Sequence, residues 1–386
     1  METVKGFKDY TGEEAKKRVK IRSIVEETFK LYAFQPIETP IIEYEKFVIG
    51  DNEKDEAVSD RYKLEDRGKR KLALRYEFTF QLKRISQNKK LPYRVYQIGP
   101  VFRDEPISTN RMRQLIQCDM DVIGSTIKDE AEVLKVYSDI LNKLNIEFTI
   151  LINNRRLLNE ILEDLKIKQG FKEQVIREID KLDKLSENEV KENLKKYSAE
   201  KILEIFKKPE SYFEKYPSYR DIKELKKLCL NFKINVKFAP FLARGLSYYN
   251  GSVFEIKTKK IKETICGGGS YLVNGIQATG ISASIERLSA LVNMPADIKR
   301  ILIISLSQDK KAIEISNELR KNSIPCNILY GKPGKALDYA NSYKIPYIIF
   351  IGEEEIKKKK LKLKNMKTGK EELLSLNEIT KKLKKV

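Results

Sequence analysis

Apolar residues fall into helical spacing from the start of the chain. Val19, Ile21, Ile24, Val25, Phe29 and Leu31 recur among Lys, Arg and Glu, which predicts an amphipathic helix over 13–34. PIETPII, 36–42, breaks that pattern with two prolines and predicts extended chain. KLALRYEFTFQLKR, 71–84, predicts a short strand running into a helix. Alternation from Tyr93 to Ile98 predicts a strand leading into GPVFRDE, and CDMDVIG, 118–124, predicts another, with Asn110 to Arg113 in the loop before it. A helix near 128–144 and a strand at 146–153 follow.

The pattern shifts near 155. Residues 155–232 are rich in Lys and Glu, with Leu and Ile at helical intervals and few strand signals. Ser186 and Glu189 form a capping-box pair there. Strand patterns return at 234–257, followed by the glycine run 267–269. ATGISASIERLSALVN, 278–293, predicts a strand entering a helix. Beyond 298, ILIISL, NILYG and YIIFIG alternate with helical stretches, which argues for an α/β unit with a mostly parallel sheet. KKKKLKLKNMKTGKEEL predicts a basic hairpin at its edge. The expected divisions are 1–154, an inserted helical module 155–232, 233–297, and 298–386.

Composition narrows the function classes. The chain has 386 residues, too many for one ordinary core, and a 41% hydrophobic fraction that excludes wholesale disorder. No apolar run is long enough for a spanning helix, and the opening METVKGFKDYTGEEAKKR has no apolar run behind its basic residues, so neither a membrane span nor a signal peptide is expected. The formal net charge of +20 favours a polyanionic partner, nucleic acid above all. Cysteines at 118, 229, 266 and 326 form no CxxC pair, so a reducing cytoplasm is expected rather than a disulfide framework or zinc site. The chain has no histidine. That excludes Ser-His-Asp and Cys-His mechanisms, imidazole bases and any metal held by its own histidines. Chemistry is left to carboxylates, Arg, Lys, Tyr, backbone amides or a bound ion.

Three segments carry candidate chemistry. FRDE, Phe102 to Glu105, is followed by Arg111 and Arg113. Guanidinium groups pair bidentately with phosphate oxygens, and a carboxylate beside them can accept from an adenine amino group. LARGLSYYNGSVFEI, 242–256, places Arg244 before a glycine that permits close backbone approach, and brings two tyrosine hydroxyls on rigid rings. GISASIERL, 280–288, sets small residues before Arg287 near a helix start. Taken singly, each also suits an ordinary ion pair, a core strand or a solvated helix face.

In this order the three segments resemble the histidine–tRNA ligases (histidyl-tRNA synthetases), a family of class II aminoacyl-tRNA synthetases. KGFKDYTGEE, FQPIETPIIE with Pro40, LALRYEFT, INNRRLLNEIL, IDKLDKL and GKPGKALDYANSYKIPYIIFIGEEE are similar to further segments of that family, so the likeness spans nearly the whole chain. It implies an α+β fold: a class II antiparallel-sheet catalytic domain with a helical insertion, plus a C-terminal α/β anticodon-binding domain. It implies a homodimer with FQPIETPIIE at the interface.

The implied reaction joins L-histidine to histidine tRNA through a histidyl-adenylate, with ATP and Mg2+ and no metal held by protein His or Cys. By resemblance, Arg103 and Arg244 are catalytic at the α-phosphate. Arg113 and Arg287 hold the outer phosphates, with Arg111 beside them, and Glu105 reads the adenine amino group. Glu77, Thr79 and Gln117 hold the α-amino group; Asp121 and Tyr249 meet the imidazole, with Tyr248 next to them. The loop Pro106 to Gln114 meets the acceptor end of the tRNA, and Lys357 to Lys360, Lys362 and Lys364 add charge where the anticodon docks. The chain departs from the family pattern in places. Asp121 stands where Glu is frequent, Leu115 where a stacking Phe is frequent, and Ser284 where Gly is frequent. Ser270 and Leu272 replace Arg and Asp in the run after the glycines. The competing reading is a regulatory paralogue that binds ligand or partner without charging tRNA; such paralogues typically lack the C-terminal domain.

Overall fold

The computed structural model describes residues 1–50, 56–107, 112–244, 248–294 and 300–385. The chain forms two compact units, Met1–Met294 and Pro295–Val386.

The first unit is built on an eight-stranded sheet. Its order is Gln35–Pro36, Tyr93–Phe102, Gln114–Ile123, Ile276–Ser284, Cys266–Val273, Tyr249–Lys257, Thr149–Asn154, Val236–Phe238. Neighbours are antiparallel except at the two edges, where short strands pair in parallel. Side chains alternate across a strand, and the Gln114–Ile123 strand shows the result. Cys118, Met120 and Val122 join the main buried cluster with Tyr137 of the Ile127–Lys143 helix. Gln117, Asp119 and Asp121 take the other face and line a cleft.

The first helix spans Gly12–Leu31. It buries Ile21, Val25 and Phe29, four residues apart on one stripe, while Val19 and Leu31 fall off that stripe and are exposed. The strand predicted for Tyr93 to Ile98 runs on to Phe102. Pro100 lacks a ladder donor, but Gln35–Pro36 pairs only as far as Tyr96, so no strand adjoins that side of Pro100, whose carbonyl instead accepts from Arg75 Nε at 2.8 Å. The expected strand at 118 likewise begins earlier, at Gln114. The short strand expected at 71 spans Lys71–Leu74 and leads to the helix Thr79–Ile85; with Ile42–Tyr44 and Lys63–Glu65 it forms a small three-stranded sheet.

From Arg155 to Asn231 every element is helical. Ser186 and Glu189 make the expected capping box. Leu157, Ile161, Val175 and Leu225 of this stretch belong to the same buried cluster as Ile152 and Phe254 of the sheet, so the helices share the sheet's core.

The second unit has a five-stranded sheet in the order Cys326–Tyr330, Ile301–Ser305, Tyr347–Ile351, Leu361–Asn365, Glu371–Leu374. The first three strands are parallel and the last two form an antiparallel hairpin at the edge. Ile301 and Ile303 enter one buried cluster and Leu302 and Ile304 the other. Both faces are covered, which is why Ile301 to Ile304 are all apolar.

Candidate functional site

A cleft rich in polar groups lies on the face of the eight-stranded sheet that carries Gln117, Asp119 and Asp121. Glu77, Thr79, Arg103, Glu105, Gln117, Asp121, Arg244, Tyr248, Tyr249 and Arg287 all line one cleft there. These residues come from both ends of the first unit's sequence, so only the fold brings them together. Arg113 does not line the cleft; its guanidinium meets Asp104 at 2.9 Å and donates to the Glu105 carbonyl at 3.3 Å. Arg111 lies outside the described residues, as does part of the Pro106 to Gln114 loop.

Three arginines line the cleft. Arg103 follows the Tyr93–Phe102 strand, and its Nε donates to the Tyr76 carbonyl at 3.1 Å and its Nη2 to Gln117 Oε1 at 3.3 Å. Arg287, in the first turn of the Ile285–Leu291 helix, donates to the Thr264 carbonyl at 2.9 Å. Ser284 caps that helix, its hydroxyl accepting from the Arg287 backbone N–H at 3.3 Å.

Arg244 holds a backbone φ of 58°, a left-handed conformation that an L-residue adopts at a cost of about 1 kcal/mol. Its guanidinium lies over Gly267, where any Cβ would overlap it. Nη1 donates to Glu255 Oε1 at 2.8 Å, and Nε is buried without a hydrogen-bond partner. Burial works against its charge, but Tyr249 and Glu255 outweigh burial and hold the guanidinium above its usual pKa. Glu255 is also approached by Lys257 at 3.3 Å and by the Thr264 hydroxyl at 2.9 Å.

Acidic and aromatic side chains line the same cleft. Tyr248 donates to Glu77 Oε2 at 3.4 Å. Tyr271 donates to Asp121 Oδ1, and Gly280 pairs across from Asp121, close enough that a Cβ at 280 would overlap the carboxylate. Burial pushes the Asp121 carboxyl well above the usual range; the charges of Asp119 and Glu77 add to this and the Tyr271 hydroxyl opposes it. Burial raises the phenols of Tyr248 and Tyr271 as well.

Asp119 and Tyr271 are cleft residues that sequence reasoning missed. Tyr271 lies between the two departures in GGGSYL, and its flanks explain those changes. Ser270 is buried facing away from the cleft and donates to Glu130, while Leu272 is half exposed beside a second cavity lined by Phe47, Phe80 and Val273. Leu115 and Ser284 both line the cleft.

Asp119 carries a pH signature. Burial raises its carboxyl from 3.8 to about 7, against hydrogen bonds from Ser282 and Gln117 and the charges of Arg103 and Arg75. The folded state therefore holds this proton more tightly than the unfolded chain does. The stability it contributes is complete below the unfolded pKa and is lost as pH rises through the folded one. Asp119→Asn removes that dependence. The melting temperature of the variant minus that of the parent should grow between pH 4 and pH 7 and then level off. A difference that stays constant across that range would contradict the assignment.

Among the described residues no helix is long and apolar enough to cross a membrane, and all four cysteines are free. In the second unit Lys357 and Lys358 pair with Glu353 and Glu354, and Lys362 and Lys364 with Glu371. These exposed pairs are weak, worth about 0–1 kcal/mol each, and a polyanion could displace them.

An antiparallel sheet flanked by helices, an arginine-rimmed cleft on its open face and a separate α/β unit define a class II aminoacyl-tRNA synthetase. The family model described as histidyl-tRNA synthetase matches residues 6–288, and the model for an anticodon binding domain matches 300–386. The chain belongs to the histidyl-tRNA synthetase family. It is 33% identical to histidine–tRNA ligase 1 of Bacillus cereus, covering 99% of each chain. It is also 33% identical to the histidine–tRNA ligase of Wolinella succinogenes, over 95% of this chain and 94% of that one. The crystal structure of histidyl-tRNA synthetase from Nostoc sp. has the same fold, with a TM-score of 0.86 at 23% identity over 100% of this chain and 99% of that chain. A Bacillus halodurans structure described as an ATP phosphoribosyltransferase regulatory subunit/histidyl-tRNA synthetase has a TM-score of 0.76 at 21% identity, over 89% and 96% of the two chains.

Proposed function

We propose that this chain activates L-histidine with ATP, forming histidyl-adenylate and pyrophosphate, and transfers the histidyl group to the terminal ribose of histidine tRNA. The observation that carries this reading is the lining of one cleft, which gathers the guanidinium groups of Arg103, Arg244 and Arg287 with the acidic and aromatic side chains of Asp121, Tyr248 and Tyr271. Attack of the histidine carboxylate on the α-phosphorus develops charge on the phosphate oxygens, and fixed guanidinium groups stabilise that charge without reorganising. Arg103 and Arg244 take this role, Arg287 and Arg113 the outer phosphates, and Glu105 the adenine amino group. Glu77, Thr79 and Gln117 receive the α-amino group, and Asp121, Tyr248 and Tyr249 the imidazole. No step needs an imidazole base from the protein, in keeping with a chain that has none.

The donor set fits a nucleotide better than a bare ion. Among the described residues no three or more Cys, Asp or Glu side chains gather to hold a metal, so Mg2+ is proposed as the ion that accompanies ATP and neutralises its phosphates. The unit matched as an anticodon binding domain is proposed to dock the tRNA anticodon, with Lys357 to Lys360, Lys362 and Lys364 supplying phosphate contacts that weaken with salt. Ile41, Ile42 and Tyr44 are exposed apolar residues around the proline-containing segment, which supports a homodimer joined there. Free cysteines suit a reducing cytoplasm. The regulatory-paralogue reading is disfavoured by the presence of residues matched as an anticodon binding domain.

ATP–pyrophosphate exchange with purified protein and each of the twenty amino acids tests the reading. Exchange with histidine alone is expected. Exchange with a different amino acid, or none with any amino acid both with and without tRNA, would overturn it.

A further inference from the structure

Asp119 has no role in the reaction assigned so far, yet it is bonded to a residue that does. It lies between Gln117 and Asp121 on the cleft face of the Gln114–Ile123 strand. Oδ2 accepts from Gln117 Nε2 at 2.8 Å, and Oδ1 accepts from Ser282 Oγ at 2.6 Å. Ser282 is its cross-strand neighbour, so the sheet register fixes the carboxylate in place. Gln117 Oε1 accepts from Arg103 Nη2 at 3.3 Å.

An amide has one donor end and one acceptor end. With Nε2 bonded to Asp119, Oε1 faces Arg103 and the cleft. While Asp119 is ionised, the flipped amide would set its oxygen against the carboxylate and its NH2 against a guanidinium, two repulsive contacts in place of two attractive ones. A free glutamine side chain samples both orientations, whereas one facing this network has a single favourable state.

We propose that Asp119 is a positioning residue for amino-acid recognition: it locks the Gln117 amide with its oxygen presented to the α-ammonium group of histidine, and does not touch the substrate itself. The inference rests on the reading that Gln117 binds that group. A buried carboxyl is costly unless it is hydrogen-bonded, and here Gln117 and Ser282 supply the bonds.

A double-mutant cycle on histidine-dependent ATP–pyrophosphate exchange tests it. Asp119→Ala should raise the KM for histidine about tenfold, leave the KM for ATP within about twofold and change kcat less than KM. Asp119→Asn, whose oxygen can still accept from Gln117 Nε2, should recover most of the loss. The double variant Asp119→Ala, Gln117→Ala should be no weaker for histidine than Gln117→Ala alone. Additive effects, equal shifts in both substrates, or an Asp119→Ala variant indistinguishable from the parent would each overturn the proposal. If the alanine variants do not fold, Gln117→Glu replaces them. It sets a second carboxylate against Asp119, and Asp119→Asn should then partly restore histidine binding; no restoration overturns the proposal. A parent protein without histidine-dependent exchange would instead remove the reading beneath it.

Discussion

Arg244→Ala is expected to slow histidine-dependent ATP–pyrophosphate exchange by about 10²–10³-fold, the usual cost of removing one fixed donor from a developing oxyanion. The structure holds this arginine at some expense. Its backbone is left-handed, Gly267 leaves room for its guanidinium, and Glu255 anchors one edge at 2.8 Å while Nε stays buried and unbonded. An arginine kept only for stability would have its nitrogens satisfied within the fold. The loss should fall on kcat more than on either KM, because the interaction strengthens as charge develops. Folding should survive, since Lys257 and the Thr264 hydroxyl still face Glu255 when Arg244 is gone. Arg244→Lys should recover little: one ammonium cannot hold Glu255 and a phosphate oxygen in the planar geometry of a guanidinium. Exchange within about threefold of the parent in the folded alanine variant would remove Arg244 from the catalytic role.

Much of this site is legible in the chain, and the illegible part has a common cause. FRDE, LARGLSYYNG and GISASIERL each mark a strand end or helix start, and the fold places Arg103, Arg244 and Arg287 around one cleft. CDMDVIG shows its alternation openly, with Cys118, Met120 and Val122 inward. The same alternation hides Asp119, because a polar residue at every second position of a strand is the ordinary pattern of a solvated face. What makes it a buried, bonded carboxylate is Ser282, 163 residues away. Tyr271 is hidden in the same way, its partner Asp121 lying 150 residues distant. Arg113 shows a different limit of local pattern. Its spacing from Arg103 suits a phosphate clamp, and its guanidinium pairs at 2.9 Å with Asp104, the neighbour of Arg103 in the chain, a pair that a phosphate would have to displace. Local pattern names the strand and the residue type; the register decides whom a side chain meets.

Register also sets the imidazole end, where Asp121→Asn is expected to raise the KM for histidine by about 10²-fold. The substitution keeps the size of the side chain and its acceptor for the Tyr271 hydroxyl, so the fold should be retained. It removes the second carboxylate oxygen, the one proposed to accept from a ring N–H, and sets an amide donor there instead. A site built to bond both ring nitrogens loses discrimination steeply when one partner turns from acceptor to donor. Gly280→Ala should reproduce the loss without altering any polar group. The added methyl would occupy the space of the Asp121 carboxylate, displacing it from Tyr271. Both variants should leave the KM for ATP within about twofold, because none of the three arginines is bonded to Asp121 or Gly280. Tyr271→Phe should fall between them and the parent, freeing the carboxylate to turn without deleting it, at a cost of roughly tenfold. If Asp121→Asn binds histidine as tightly as the parent does, the imidazole is not read by Asp121, and the assignment passes to Glu77 and the Tyr248–Tyr249 pair.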